Sequence, residues 1–94
     1  MATLRDAAAD AALGQLSGWT REAQTIRKQF VFADFPQAVE FVTRLVPGAE
    51  AADHHPGVVI QYKRVTLTYT THSDGGLTTK DFAGAAMADR VFAA

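Results

Sequence analysis

The sequence predicts an α+β domain: a four-stranded antiparallel sheet with three helices on one face, in the order α-β-β-α-β-β-α. Three observations carry this reading. Apolar residues recur at helical spacing in three separate stretches. Between them lie two pairs of short segments in which apolar and polar residues alternate, the period of a half-buried strand. The links within each pair are only a few residues long, which makes paired strands antiparallel neighbours.

The first helix is expected from Thr3 to about Leu16, with Leu4, Ala7, Ala8 and Ala11 at helical spacing, Thr3 as N-cap and Asp6 three residues on. Trp19 to Glu22 is short enough for an edge strand, and Ala23-Gln24 turns the chain. From Thr25, the side chains of Ile26, Phe30 and Phe32 share one face, with Lys28 interrupting it at the rim. Asp34 reads as an N-cap, with Pro36 in the first turn and Gln37 completing a capping box. Phe35, Ala38, Val39, Val42, Leu45, Val46 and Ala49 then form a long apolar stripe, the clearest helix of the chain. Pro47 falls within it and predicts a kink or an early stop. Val58 to Tyr62 and Val65 to Thr71 read as a strand pair joined by a tight turn at Lys63-Arg64. Ser73-Asp74-Gly75-Gly76 turns again, and Thr78 caps a last helix carrying Phe82, Ala85, Ala88, Val91 and Phe92.

Composition narrows the function classes. With 94 residues, 48% hydrophobic and 20% charged, the chain reads as one globular domain, residues 1–94, rather than a disordered segment. A core this small is thin, so an uncovered apolar face favours self-association. The net charge of −1, with Arg21, Arg27 and Lys28 as the densest basic group, gives no footprint for a nucleic-acid partner. No cysteine is present, which removes disulfides, thiolate metal sites and thiol nucleophiles. No membrane span and no secretory signal are expected, so a soluble cytoplasmic protein is the default.

All three histidines sit in two short stretches, Glu50-Ala-Ala-Asp-His-His-Pro56 and Thr71-His72. Imidazole can donate or accept a proton near neutral pH, which suits it to acid–base work. His54 and His55 fall where the second helix hands over to the third strand, with Asp53 before them and Pro56 turning the chain after them. His72 ends the fourth strand, so a hairpin brings it back toward them. Carboxylates stand close by, namely Glu50, Asp53 and Asp81. Asp81 also occupies the capping-box position of Thr78-Thr-Lys-Asp81, and the two roles are compatible. Two other readings stay open from the residues alone: histidines that merely end elements, and a zinc site joined by Asp53 or Glu50, although adjacent histidines rarely both ligate one ion.

Together these residues resemble a known signature. Glu50, His54, His55 and Pro56, an aromatic six residues later at Tyr62, then Thr71-His72 and Gly76-Leu77-Thr78 with Asp81, are similar to the motif of the pterin-4a-carbinolamine dehydratases. The likeness extends upstream to Gly18-Trp19 and to the stretch from Ile26 to Phe35. Gly57-Val58 stands where that family commonly has Glu-Trp, which takes an indole from the pocket wall. The resemblance implies a hydro-lyase that removes water from 4a-hydroxytetrahydropterin to give quinonoid dihydropterin, recycling the pterin of aromatic amino acid hydroxylases without a metal or other cofactor. It implies His54 and His72 as the acid–base pair and His55 as the group holding the pterin. Glu50, Asp53, Pro56, Thr71 and Asp81 would bind or orient, Asp81 by holding a histidine. It further implies a homodimer or homotetramer built by extending the sheet. Some relatives serve as transcription-factor dimerisation partners or assembly helpers, which makes a non-catalytic interaction module the alternative.

Overall fold

The computed structural model describes residues 3–94. Its elements are α1 (Asp6–Leu13), β1 (Thr20–Glu22), β2 (Thr25–Val31), α2 (Phe35–Ala52), β3 (Gly57–Gln61), β4 (Arg64–Tyr69) and α3 (Thr79–Ala93), with a 3-10 turn at His72–Asp74 before the last helix. The strands form one antiparallel sheet in the order β1-β2-β4-β3. The expected α-β-β-α-β-β-α order and four-stranded sheet are therefore present.

Alternation decides which face is covered. Ile26 and Phe30 of β2 pair with Tyr69 and Val65 of β4, and all four are buried together with Leu67. Arg27 pairs with Thr68 and Gln29 with Thr66 on the opposite, more open face. Over the buried face lie Ala38, Phe41 and Leu45 of α2 and Phe82, Ala85 and Ala88 of α3. Aromatic rings join the layers: Phe30 lies 4.9 Å from Phe41, and Trp19 lies 5.9 Å from Tyr69, centroid to centroid. Lys28 reaches the rim as expected, its Nζ 2.8 Å from Asp89 and 2.9 Å from the Ser17 carbonyl. Arg21, from the densest basic group, clamps α1 by ion pairs with Asp6 (2.7 Å) and Asp10 (3.2 Å).

Several sequence expectations are corrected. Thr3 does not cap α1, which begins at Asp6 behind Arg5, because the Leu4 N–H donates to the Leu77 carbonyl (2.8 Å) and holds the preceding backbone extended. The face of α1 turned to the core is accordingly Ala9, with Ala12 and Leu13 packing alongside, while Ala7, Ala8 and Ala11 are exposed. Pro47 does not stop α2, which continues to Ala52; buried Leu45 and Ala49 anchor the helix on both sides of the proline. Only part of the α2 stripe is core, since Phe41 takes a central place while Phe35, Val39 and Val46 are exposed. The second hairpin turns at Tyr62-Lys63, one residue earlier than expected, with Tyr62 in the left-handed region (φ 53°).

Among the described residues, Tyr69 Oη is the one buried side-chain polar atom without a hydrogen-bond partner. Such an atom costs roughly 1–3 kcal/mol. Burial, reinforced by the Asp81 charge, pushes the Tyr69 phenol up to about 12 from its ordinary 10.0. A folded-state value above the unfolded one means that this contribution to stability is intact below pH 10.0 and is lost as pH rises toward about 12. Tyr69→Phe is therefore expected to stabilise the fold by about 1 kcal/mol in neutral buffer. It should also flatten the fall in stability through that alkaline window. Urea melts of both proteins at neutral and alkaline pH check this, and an equal alkaline loss in both would contradict it.

Candidate active site

The second helix delivers its histidines through a specific C-terminal turn. Asp53 adopts the left-handed conformation (φ 49°, ψ 43°), its N–H bonds the Glu50 carbonyl, and the His54 N–H bonds the Ala49 carbonyl (3.1 Å). This pairing is a Schellman motif, with an Asp where glycine is usual. It reverses the chain at Asp53 and presents His54 and His55 in different directions before Pro56 leads into β3. Asp53 thus contributes through its backbone conformation.

His54 turns inward. Its Nε2 lies 2.6 Å from Asp81 Oδ1, with 11% of the His54 side chain and none of the Asp81 side chain exposed. The other carboxylate oxygen, Oδ2, accepts the Thr71 hydroxyl (2.8 Å) and the Thr78 N–H (2.9 Å). The Thr71 hydroxyl proton is committed to Asp81, so the Thr78 hydroxyl donates to Thr71 Oγ1 at 2.8 Å. Thr78 Oγ1 in turn accepts the Lys80 N–H (3.2 Å) at the start of α3. The capping box foreseen for Thr78 and Asp81 is formed, and the same carboxylate holds a histidine. The Asp81 carboxylate only accepts, so neutral His54 carries its proton on Nε2 and leaves the Nδ1 lone pair available.

His55 turns outward. Its Nε2 pairs with Glu50 Oε2, and both side chains are more than half exposed. His55, Glu50 and Pro56 border a groove of about 180 Å³ between α2 and β3, whose remaining walls are Val42, Leu45, Val46, Ala49 and Val58. His54 borders a different cavity of about 190 Å³ between α2 and α3, beside Gly48, Ala52, Lys80, Ala83, Gly84 and Met87. The adjacent histidines thus do not share one cavity, because the left-handed turn at Asp53 splays them.

His72 opens the 3-10 turn after β4 and is exposed, bordering neither cavity. Its neighbour Thr71 is 3% exposed and locked by paired backbone hydrogen bonds with Gly76 (3.1 and 3.2 Å). His72 is therefore one residue from the Thr71–Asp81–His54 network, but the expected meeting of the three rings is not found: His54 turns inward, His55 turns outward to Glu50, and His72 is exposed. Among the described residues, no group of three His, Asp or Glu side chains is placed to hold a metal ion. No helix among them is long and apolar enough to cross a membrane.

Two participants were not legible as such. Thr78 was read only as a cap, yet its hydroxyl completes the network. Tyr69 lies within the predicted strand Val65 to Thr71, and its ring stacks on His54, with centroids 5.9 Å apart and planes inclined by 25°. Its one trace in the sequence is Gly84, whose cost within a helical pattern asks for a packing reason but names no partner.

Comparison with known proteins decides the family. The sequence pattern described as Pterin 4 alpha carbinolamine dehydratase matches residues 2–91. The chain belongs to that family. Two provisionally named pterin-4-alpha-carbinolamine dehydratases illustrate the kinship. That of Roseiflexus castenholzii is 48% identical over 96% of this chain and 97% of its own length. That of Herpetosiphon aurantiacus is 46% identical over 100% of this chain and 98% of its own. A crystal structure of a transcriptional coactivator/pterin dehydratase from Brucella melitensis superposes with a TM-score of 0.90 at 33% identity, covering 95% of this chain and 97% of that one. A pterin dehydratase-like protein described as a RuBisCO assembly factor of the alpha-carboxysome shares the fold, with a TM-score of 0.64 at 21% identity over 79% of this chain and 86% of that one. The Brucella melitensis protein carries both roles, coactivator and dehydratase, in its own description.

Proposed function

We propose that this chain is a hydro-lyase that converts 4a-hydroxytetrahydropterin to quinonoid dihydropterin and water, serving the recycling of a tetrahydropterin cofactor. The observation that carries the reading is the 2.6 Å pair of His54 Nε2 with the fully buried Asp81. In the reaction the C4a–O bond breaks, oxygen leaves with the electron pair as water after gaining a proton, and N5 gives up its proton as the C4a–N5 double bond forms. One group must accept and another must donate. His54 Nδ1, freed for that purpose by Asp81, is the acceptor in this proposal. His72, exposed one residue from Thr71, is the donor. His55, backed by Glu50, holds the pterin with Pro56 at the turn that joins it to His54. Asp53 orients both adjacent histidines through its backbone turn, and Thr71 fixes Asp81. Every step uses side chains of the protein and needs no cofactor.

Self-association into a homodimer or homotetramer belongs to the same proposal, since β3 is an edge strand and Phe35, Val39 and Val46 leave apolar surface on α2. That surface also favours a second reading as an interaction module. The absorbance decay of 4a-hydroxytetrahydropterin separates the two readings. Decay faster than in buffer alone is expected, and a rate equal to buffer would leave the interaction module in its place.

A further inference from the structure

We propose that Tyr69 is a positioning residue for His54, its ring backing the imidazole so that Nε2 stays on Asp81 and Nδ1 stays presented, and that Gly84 is the residue that makes room for it. The inference rests on the dehydratase reading for its activity arm alone. Three contacts hold the His54 side chain and its backbone: the Ala49 carbonyl, the Asp81 carboxylate and the face of Tyr69. The first fixes the main chain. The second fixes one ring atom but leaves the plane of the imidazole free to swing about that hydrogen bond. The third contact removes this freedom, because a ring inclined by only 25° at 5.9 Å lies alongside the imidazole and limits its tilt.

The phenol ring itself is closely bounded at Gly84. A Cβ added at Gly84 would stand 2.6 Å from Tyr69 Cε1 and 2.9 Å from Cζ, so no larger residue fits there with the ring in place. Trp19 bounds it from another direction, with centroids 5.9 Å apart. Glycine within a helix costs stability. A smaller apolar side chain at 69 with alanine at 84 would avoid that cost. The pair is better explained by what the ring does for the histidine beside it. Because the ring, not the hydroxyl, makes the contact, phenylalanine at this position should serve equally.

The test combines a spectroscopic and a kinetic readout. In mildly alkaline buffer, long-range proton–nitrogen NMR of the imidazoles should report the Nε2–H tautomer of His54 in the wild-type chain and in Tyr69→Phe. Tyr69→Leu should give averaged nitrogen shifts for that ring. In the dehydratase assay, Tyr69→Leu should lower kcat about tenfold with KM changed less than about twofold, and Tyr69→Phe should restore it. Gly84→Ala should lower kcat about tenfold with Tyr69 present and have little effect beside Leu at 69, because the two sites share one contact. Unchanged His54 shifts in folded Tyr69→Leu would overturn the inference, as would a Tyr69→Phe variant as impaired as Tyr69→Leu. If the wild-type chain does not dehydrate the pterin, the NMR arm still decides the positioning role, so the two failures are distinguishable.

Discussion

Asp81→Asn is expected to lower dehydratase kcat by about 10²–10⁴-fold and to destabilise the fold by about 2–4 kcal/mol. Asp81 is fully buried and accepts from three donors, the Thr71 hydroxyl, the Thr78 N–H and the His54 imidazole. An amide of the same size has one acceptor oxygen and must turn its NH₂ toward at least one of these donors. If the oxygen keeps Thr71 and Thr78, the NH₂ faces His54 and drives the imidazole to the tautomer with a bare Nε2 and a protonated Nδ1. That tautomer cannot accept a proton at Nδ1. If the oxygen keeps His54, the capping box of α3 opens and two buried groups lose their partner. Either arrangement is costly, and which one prevails decides how the damage divides between activity and stability. Steady-state kinetics and urea melts on the same preparation check it; a variant within twofold of wild type in both would contradict the network.

His54→Ala and His72→Ala should each lower kcat by about 10²–10⁴-fold, the range for removing a positioned acid or base. Their structural costs should differ. His54 is mostly buried, so its removal leaves Asp81 with one oxygen unmatched. His72 is exposed beyond the end of β4, so its removal should leave the melting midpoint close to wild type. Activity lost at His72 with stability intact would therefore separate chemistry from folding. Wild-type rates in both folded variants would remove the proposed acid–base pair.

Much of the architecture was legible because its signals are local. Asp34 and Thr78 cap the helices assigned to them, and Ile26, Phe30, Val65, Leu67 and Tyr69 alternate into the core as their period requires. Thr3 misled because a long-range backbone bond from Leu4 to Leu77 outweighed a local capping pattern. Pro47 misled because burial on either side of it outweighed one missing helix hydrogen bond. At the site, the Glu50–His55 and Asp81 spacings singled out residues that do interact, in the pairs His54–Asp81 and His55–Glu50. Their separation into two cavities was not legible, since it depends on the left-handed turn of a residue that is not glycine. Nor was the stack of Tyr69 on His54, which needs the absence of a side chain at Gly84, fifteen residues away.

The most direct measurement is carbinolamine dehydration by wild type and His54→Ala side by side, with free imidazole added to the variant. The proposed role of His54 predicts that the variant falls toward the uncatalysed rate and recovers part of its activity as imidazole enters the vacated place. A folded His54→Ala protein as fast as wild type without imidazole would contradict it.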